Sequence, residues 1–167
     1  MRFLEINEIW AWCAEHGIHL ESGDSRPKPD PAFTHRKQIQ YAFGRRSGRE
    51  AEFGTACIQA LGEWDECLLW VTQWGVWPSG EDWPRYYAAR GRRDMRLSLR
   101  DAPGHWFGQG EKADLLEFFT MVLEFAWDAY VLPVHAVSGT GVRVEISHDE
   151  WLEVQSATTV EFTKPAA

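Results

Sequence analysis

Residues 67–74 read CLLWVTQW, and this stretch decides the predicted fold. It is an almost unbroken apolar run, rich in residues that favour strands. A strand with apolar side chains on both faces has to be covered on both faces. The pattern therefore predicts a central strand of a sheet, with the other strands and the helices arranged around it.

Four further segments carry the patterning of strands. Residues 39–43 alternate apolar and polar side chains, as a half-buried strand does. Residues 129–134, 141–146 and 151–155 follow near the C-terminus, and turn residues at 147–150 separate the last two of these. This spacing predicts that the last two strands pair as an antiparallel hairpin.

Four segments show the signals of helices. Residues 7–17 begin with an asparagine, which caps helices, and end in a glycine. Residues 49–61 have one apolar face, and Ser79 or Asp82 can cap a helix that runs to about Arg90. Residues 111–127 are apolar around most of the circumference, which predicts a buried helix. The predicted fold class is α+β, a mostly antiparallel sheet of about four to six strands packed with three or four helices.

Length and composition predict one folded domain. The chain has 167 residues, of which 44% are hydrophobic and 25% are charged, as in folded globular proteins. We therefore expect residues 1–167 to form a single domain. Three prolines at alternate positions make residues 23–31 an extended surface loop, and residues 163–167 are expected to fray.

The N-terminus and the cysteines predict a soluble protein of the bacterial cytoplasm. The first ten residues, MRFLEINEIW, carry acidic groups within the apolar stretch, unlike a signal peptide. No run reaches the ~20 apolar residues that a membrane-spanning helix needs. Cys13, Cys57 and Cys67 are odd in number and form no CxxC pair, so we expect reduced, buried thiols. No spacing of histidines or cysteines predicts a metal site, and no cofactor is expected.

Charge is distributed unevenly along the chain. The formal net charge is −8, which disfavours direct binding of nucleic acid because that binding neutralises phosphates. Residues 26–49 hold seven basic side chains and one acidic one, whereas residues 111–167 hold ten acidic side chains and three basic ones. These may be read as two solvated faces that neutralise each other. They also fit a polar molecule whose acidic surface docks a basic partner protein.

Ten tryptophans are the clearest departure from average composition. Trp70 and Trp74 belong to the predicted central strand, and Trp127 ends the predicted buried helix, so these indoles are expected in the core. Indoles in loops are harder to explain by core packing and are enriched at interaction surfaces. Three tryptophans in or beside loops are therefore candidate binding residues: Trp77, Trp83 and Trp106.

Two histidine-containing segments are candidate functional sites. His105 follows the Pro103-Gly104 break and is predicted to lie in a loop, where functional residues are often placed. His148, Asp149 and Glu150 occupy the predicted hairpin turn, where a histidine and a carboxylate could act as an acid–base pair. Packing without function remains an alternative for each of them.

Arginines are concentrated between residues 85 and 100. Arg85, Arg92 and Arg96 share one side of a helix at i, i+7 and i+11, which predicts an anion-binding patch. The alternative is a solvated face that pairs with the acidic C-terminal third of the chain.

Four sequence runs resemble the core of an uncharacterised small bacterial protein family. They are CLLWVTQWGVWPSGEDWPRYY at 67–87, APGHWF at 102–107, FAWDAYVLP at 125–133 and SHDEW at 147–151. The resemblance covers most of residues 60–155 and implies no activity. In size, acidity and isolated-domain character, the chain is also similar to immunity-type proteins that protect bacteria from their own toxins.

Three functions are compatible with these patterns, and whether the chain is an enzyme is left open. The first is a non-catalytic binding module, an immunity or defence-associated protein that occludes a basic partner with an acidic surface. The second is a small hydrolase or ligand-binding protein, with His105 and His148 near a cleft floored by Trp74 and Trp77. The third is a structural subunit of a larger assembly, which an exposed apolar patch would favour. The oligomeric state is also left open.

Overall fold

The computed structural model describes residues 1–21, 26–41, 48–92, 98–135 and 141–160. They form one antiparallel sheet of seven strands, in the order β1-β4-β3-β5-β6-β7-β2, with four α-helices and a short 3₁₀ turn at Pro78–Gly80. The elements along the chain are β1 (Arg2–Leu4), α1 (Ile6–Glu15), β2 (His35–Gln40), α2 (Arg49–Ala60), β3 (Glu66–Gln73), α3 (Trp83–Gly91), β4 (Gly104–Gly108), α4 (Lys112–Phe125), β5 (Asp128–Val134), β6 (Val142–Ser147) and β7 (Trp151–Ser156).

The apolar strand β3 is the centre of the sheet and lies between β4 and β5. Residues 67–71 are all buried. Leu68 and Trp70 point to one side of the sheet, and the residues between and beside them point to the other. The prediction of a central strand covered on both faces is therefore confirmed, although β3 ends at Gln73 and Trp74 lies just beyond it.

Different helices cover the two faces of the sheet. On the face that we call the α1 face, Ile9 and Trp12 of α1 pack with Leu68 and Trp70. On the opposite face, which we call the three-helix face, α2, α3 and α4 bury the larger of the two hydrophobic cores. The nearly all-apolar helix α4 lies within this larger core, as its sequence predicts.

The α1 face is apolar over only half of the sheet. Its hydrophobic core draws residues from β1, β3 and β5, but the described residues of β6, β7 and β2 contribute none. The buried apolar residues of those three strands lie in the core of the three-helix face, and in β6 and β7 they occupy every second position. The side chains that β6, β7 and β2 present on the α1 face are mostly polar: they include Glu145, Glu153, Gln155, Gln38, Arg143 and Arg36, with Trp151 at the start of β7.

The predicted number of strands, four to six, is too low because two short strands were not predicted. β1 has three residues and pairs with β4, and β4 follows Pro103, where a chain break was predicted. Neither strand has a long alternating pattern, and both are fixed by pairing with distant segments. Gly104 fits this close packing, because a Cβ atom there would lie 2.8 Å from Cγ1 of Ile9.

The ends of two helices differ from their predicted positions. The N-cap of α1 is Glu5 rather than Asn7, and the Glu8 carboxylate accepts a 2.8 Å hydrogen bond from the Glu5 N–H. The helix α4 ends at Phe125, because the next residue adopts a left-handed conformation that turns the chain into β5. Trp127 therefore lies outside the helix, where it is buried.

The remaining elements agree with prediction within a few residues. β6 and β7 form the predicted hairpin across 147–150, and α3 begins after Asp82, whose carboxylate accepts the Arg85 N–H at 3.0 Å. β2 begins and ends earlier than the predicted strand at 39–43, of which residues 42 and 43 lie outside the described part. The predicted frayed tail, 163–167, also lies outside it. Within the described ranges, no helix combines the length and apolarity needed to cross a bilayer.

Gly104→Ala is expected to lower the free energy of unfolding by about 2 kcal/mol, because the new methyl group overlaps Ile9 and approaches Cβ of Leu4 at 3.0 Å. Urea denaturation measures this effect. The matched control is the double variant Gly104→Ala/Ile9→Ala, in which the overlapping atoms of Ile9 are removed. The two single effects should sum to clearly more than the effect of the double variant. Simple additivity would contradict the steric explanation.

Candidate functional site

The three candidate tryptophans lie in different environments. Trp77 is in the loop after β3 and is 48% exposed. Trp83 is the first residue of α3 and stacks on Tyr87 with ring centroids 5.8 Å apart. Trp106 was predicted in a loop but lies in β4, and its Nε1–H donates to Glu66 at 2.8 Å. The structure does not bring these three indoles together into one site.

His105 is buried in the three-helix face and lies in a strand, whereas a loop was predicted. It lies in β4 and is 1% exposed. Its Nε2 is 2.8 Å from the Tyr86 hydroxyl, and its Nδ1 is 3.3 Å from the Leu69 carbonyl oxygen. Burial, helped by the nearby Arg90 cation, lowers the pKa of His105 to about 3. The predicted cleft shared with His148 is wrong, because that residue is at the other side of the sheet, in a cleft that neither Trp74 nor Trp77 lines.

The arginines of α3 contact acidic residues of α4. Arg85 forms an ion pair with Glu124, and Arg92 forms one with Glu117. Arg96 lies outside the described residues. Part of the acidic charge of the C-terminal third is therefore engaged within the fold.

The predicted turn residue His148 contacts a carboxylate that sequence reasoning did not single out. Asp128, the first residue of β5, accepts the His148 backbone N–H at 2.6 Å, and the His148 Nδ1 is 2.9 Å from the same oxygen. If Nδ1 donates this second bond, Nε2 carries the free lone pair of the neutral ring. Asp149 is 72% exposed in its side chain, with a carboxylate oxygen 3.7 Å from Nε2. Glu150 has a structural part in the turn, because its backbone adopts a left-handed conformation and its carbonyl accepts the Tyr41 N–H.

A cavity of about 220 Å³ opens beside this contact, and we call it the Asp128 cleft. It lies where β3, β5 and the β6–β7 turn meet. Tyr130 belongs to the core of the α1 face and pairs across strands with Glu145, so the cleft opens on that face. The side chains that give the cleft its chemical character are Arg26, Asp128, Tyr130, Glu145, His148 and Trp151.

The electrostatics of the cleft centre on Glu145. Its carboxylate accepts a 3.3 Å hydrogen bond from the Tyr130 hydroxyl. Burial raises the pKa of Glu145 above its usual range, and the carboxylates of Glu153 and Asp128 raise it further, while Arg26 and the Tyr130 hydrogen bond oppose them. The carboxylates of Glu145 and Asp128 therefore share a partly buried cleft with the Arg26 cation.

The described residues contain no group of three histidine, cysteine or acidic side chains arranged to hold a metal ion. What the cleft offers instead is carboxylate oxygens, the Arg26 guanidinium, two aromatic rings and an imidazole. Such a set can accept hydrogen bonds from a cationic group and stack against it, or it can move a proton.

Sequence reasoning missed Asp128, Tyr130, Glu145 and Trp151 as site residues. The first two stand in FAWDAYVLP and the last in SHDEW, two of the runs that carry the predicted resemblance. The contact between Asp128 and His148 depends on β5 pairing with β6, which was not predicted. A predicted β5–β6 pair would have brought the start of β5 to the hairpin turn and revealed the contact.

Comparison with protein-family models, curated proteins and solved structures found no match to this chain. The resemblance to a small bacterial family stays a prediction. The function therefore has to be argued from the Asp128 cleft and the surface around it.

Proposed function

We propose that the protein is a non-catalytic binding module that receives a cationic group of a basic partner protein in the Asp128 cleft. One observation carries this proposal. Glu145 and Glu153 stand directly opposite each other on β6 and β7, and Asp128 lies in the same cleft as Glu145. An immunity or defence-associated protein that occludes a basic toxin would use such a surface.

Repulsion between the facing carboxylates raises the free energy of the unbound protein. Like charges directly opposite on neighbouring strands cost about 0.2–1 kcal/mol. Neighbouring groups offset part of this cost: Gln155 donates to Glu153 at 2.6 Å, Arg36 is 3.8 Å from Glu153, and the cations of Arg26 and Arg143 attract the Glu145 carboxylate. A cation bound between the carboxylates would remove the repulsion, so part of the binding energy is already stored in the free protein.

The surroundings of the cleft extend the same charge. Asp149 and Glu150 occupy the β6–β7 turn at its rim, while the acidic residues Glu117 and Glu124 of α4 are paired with arginines. Negative charge concentrated at one place steers a basic partner and accelerates its association at low salt.

Replacing both facing carboxylates tests the proposal. For a basic protein captured by the wild-type chain, we expect a Kd below ~10 μM by titration calorimetry, weakening as salt is added. The variant Glu145→Gln/Glu153→Gln should weaken binding at least tenfold. Glu117→Gln, which removes a carboxylate of α4 instead, is the matched control and should leave the Kd unchanged. The proposal is contradicted if all three proteins bind equally, or if no basic partner binds with a Kd below ~10 μM.

A second candidate function, proton transfer by His148, is favoured by the 2.9 Å contact of its Nδ1 with Asp128. A carboxylate in this position fixes the tautomer of a histidine and stabilises its protonated form. The free Nε2 could then accept a proton from water or a hydroxyl group of a small ligand in the cleft.

Asp128→Ala is expected to change the tautomer of His148 and to lower the free energy of unfolding by about 2 kcal/mol, because two hydrogen bonds to a carboxylate are lost. Long-range ¹H–¹⁵N NMR spectra report the tautomer, and urea denaturation reports the stability. The control is Asp149→Ala, which removes the exposed carboxylate and should change neither. An unaltered His148 spectrum in Asp128→Ala would show that Asp128 does not orient the ring.

A further inference from the structure

The strand β2 forms one edge of the sheet. Among the described residues it pairs only with β7, and five of its six residues are exposed. The Tyr41 N–H donates to the Glu150 carbonyl, and this bond shows which N–H groups of β2 point toward β7. Because N–H groups point alternately to the two sides of an antiparallel strand, those of Arg36 and Gln38 point away from β7. The outer side of β2 therefore presents backbone groups that can pair with another strand.

A groove runs beside this edge. It is a cavity of about 400 Å³ between β2, the end of β7 and the residues that follow β7. Val154 and Val160 form an apolar part of its wall and pack with the core of the three-helix face. Lys37 pairs with Val154 across the strands, so the groove lies on the three-helix side of β2.

The side chains of the edge are basic. His35, Arg36 and Lys37 are consecutive, so positive charge lies on both faces of the sheet at this edge. They belong to the basic segment 26–49, whose Arg26 lines the Asp128 cleft, and Arg36 is 3.8 Å from Glu153 of β7. Charged side chains on an edge strand hinder pairing with neutral or basic strands and permit pairing with a strand of opposite charge.

We propose that the outer edge of β2 binds an acidic extended segment of a partner protein by strand addition. The added strand hydrogen-bonds to the outward N–H and C=O groups of Arg36 and Gln38. Its acidic side chains lie on the α1 face beside Arg36, and its apolar side chains alternate with them and enter the groove beside Val154. Two β2 edges do not pair in this way, because each would bring the same basic side chains against the other. This inference concerns a surface other than the Asp128 cleft, and the two share one contact, that of Arg36 with Glu153.

A synthetic pair of peptides tests the proposal on the full-length protein. We expect acetyl-EVEVEV-amide to give saturable NMR shifts of the Arg36 and Gln38 backbone amides, and acetyl-KVKVKV-amide to bind at least tenfold more weakly. Gln38→Pro removes an outward N–H but no bond to β7, so it should fold and lose the shifts. Arg36→Glu should weaken binding of the acidic peptide at least tenfold and strengthen binding of the basic one.

Four results would overturn the proposal. They are equal binding of both peptides, no binding of the acidic peptide at about 1 mM, undiminished binding by a folded Gln38→Pro variant, or self-association of the wild-type protein that the acidic peptide does not disrupt. Thermal unfolding and amide spectra show whether each variant is folded. If Gln38→Pro fails to fold, Arg36→Glu alone decides, since an exposed charge reversal leaves the ladder to β7 intact.

Discussion

Lowering the pH from 6.5 to 4.5 is expected to reduce the free energy of unfolding by roughly 2 kcal/mol through His105 alone. In the folded protein its pKa is about 3, whereas the ordinary value is 6.5. Below pH 6.5 the unfolded chain takes up a proton that the folded protein does not. The stabilising contribution is therefore fully present above pH 6.5 and is lost as the pH falls toward 3.

The environment of His105 explains why the folded protein excludes this proton. The ring lies 4.9 Å from the Phe118 ring and 5.4 Å from the Phe3 ring, centroid to centroid. The Arg90 guanidinium contacts the same Phe3 ring, so a protonated His105 would be a second cation in an almost dry core. The neutral ring, by contrast, is satisfied by Tyr86 and by the Leu69 carbonyl.

Urea denaturation at pH 6.5, 5.5 and 4.5 measures the effect. His105→Gln keeps a polar group beside Tyr86 and should be less stable than the wild-type protein. As the pH is lowered, its free energy of unfolding should fall by about 1.4 kcal/mol less per pH unit than that of the wild-type protein. His35→Gln removes an exposed histidine of β2 and should keep the wild-type slope. If the free energy of unfolding falls equally steeply with pH in the wild-type protein and in His105→Gln, His105 is protonated in the folded state.

His105 also shows where sequence reasoning reached its limit. Local patterns predicted β3, the β6–β7 hairpin and the helices α2, α3 and α4, because each depends on neighbouring residues. They did not predict β4, since the Pro-Gly pair at 103–104 has the local form of a break. The strand exists because β1 and β3 pair with its two edges. His105 was therefore predicted to lie in a loop, although it lies in a buried strand.

The tryptophan-rich segment after β3 has a similar explanation. The Glu81 carboxylate holds this segment together. It accepts the Gly75 N–H at 2.7 Å and the Trp83 Nε1–H at 3.1 Å, and it also accepts the Trp127 Nε1–H. Two of the three donors are indoles, and one of them is 46 residues away. Sequence spacing predicts aromatic packing here, but not the carboxylate that orients it.

Arg90→Met is expected to lower the free energy of unfolding by about 4 kcal/mol, because a buried network loses its donor. Arg90 is 1% exposed. Its guanidinium donates to the Tyr86 hydroxyl at 2.8 Å, to the Ala102 carbonyl at 2.8 Å and to the Ser98 carbonyl at 3.1 Å. Methionine fills much of the same volume but leaves the Ala102 carbonyl and the Tyr86 hydroxyl without this donor, at about 1–3 kcal/mol for an unsatisfied buried group. The Ser98 carbonyl still accepts the N–H groups of Asp101 and Ala102.

Two further variants separate the possible causes. Arg90→Lys keeps the charge but not the planar fork, so it should also be strongly destabilised. Arg100→Met removes an exposed arginine from the segment between α3 and β4 and should change stability by less than about 0.5 kcal/mol. If Arg90→Met and Arg100→Met cost the same, the buried hydrogen bonds contribute little to the fold.

Arg90→Met also tests the account of His105, since the Arg90 cation is one of the causes of its lowered pKa. Removing that cation should let His105 accept a proton more readily in the folded protein. The free energy of unfolding of Arg90→Met should then fall less steeply with pH than that of the wild-type protein in the range where His105 begins to titrate, although it starts from a lower value. An unchanged slope there would assign the lowered pKa of His105 to burial alone, which is the larger of the two causes.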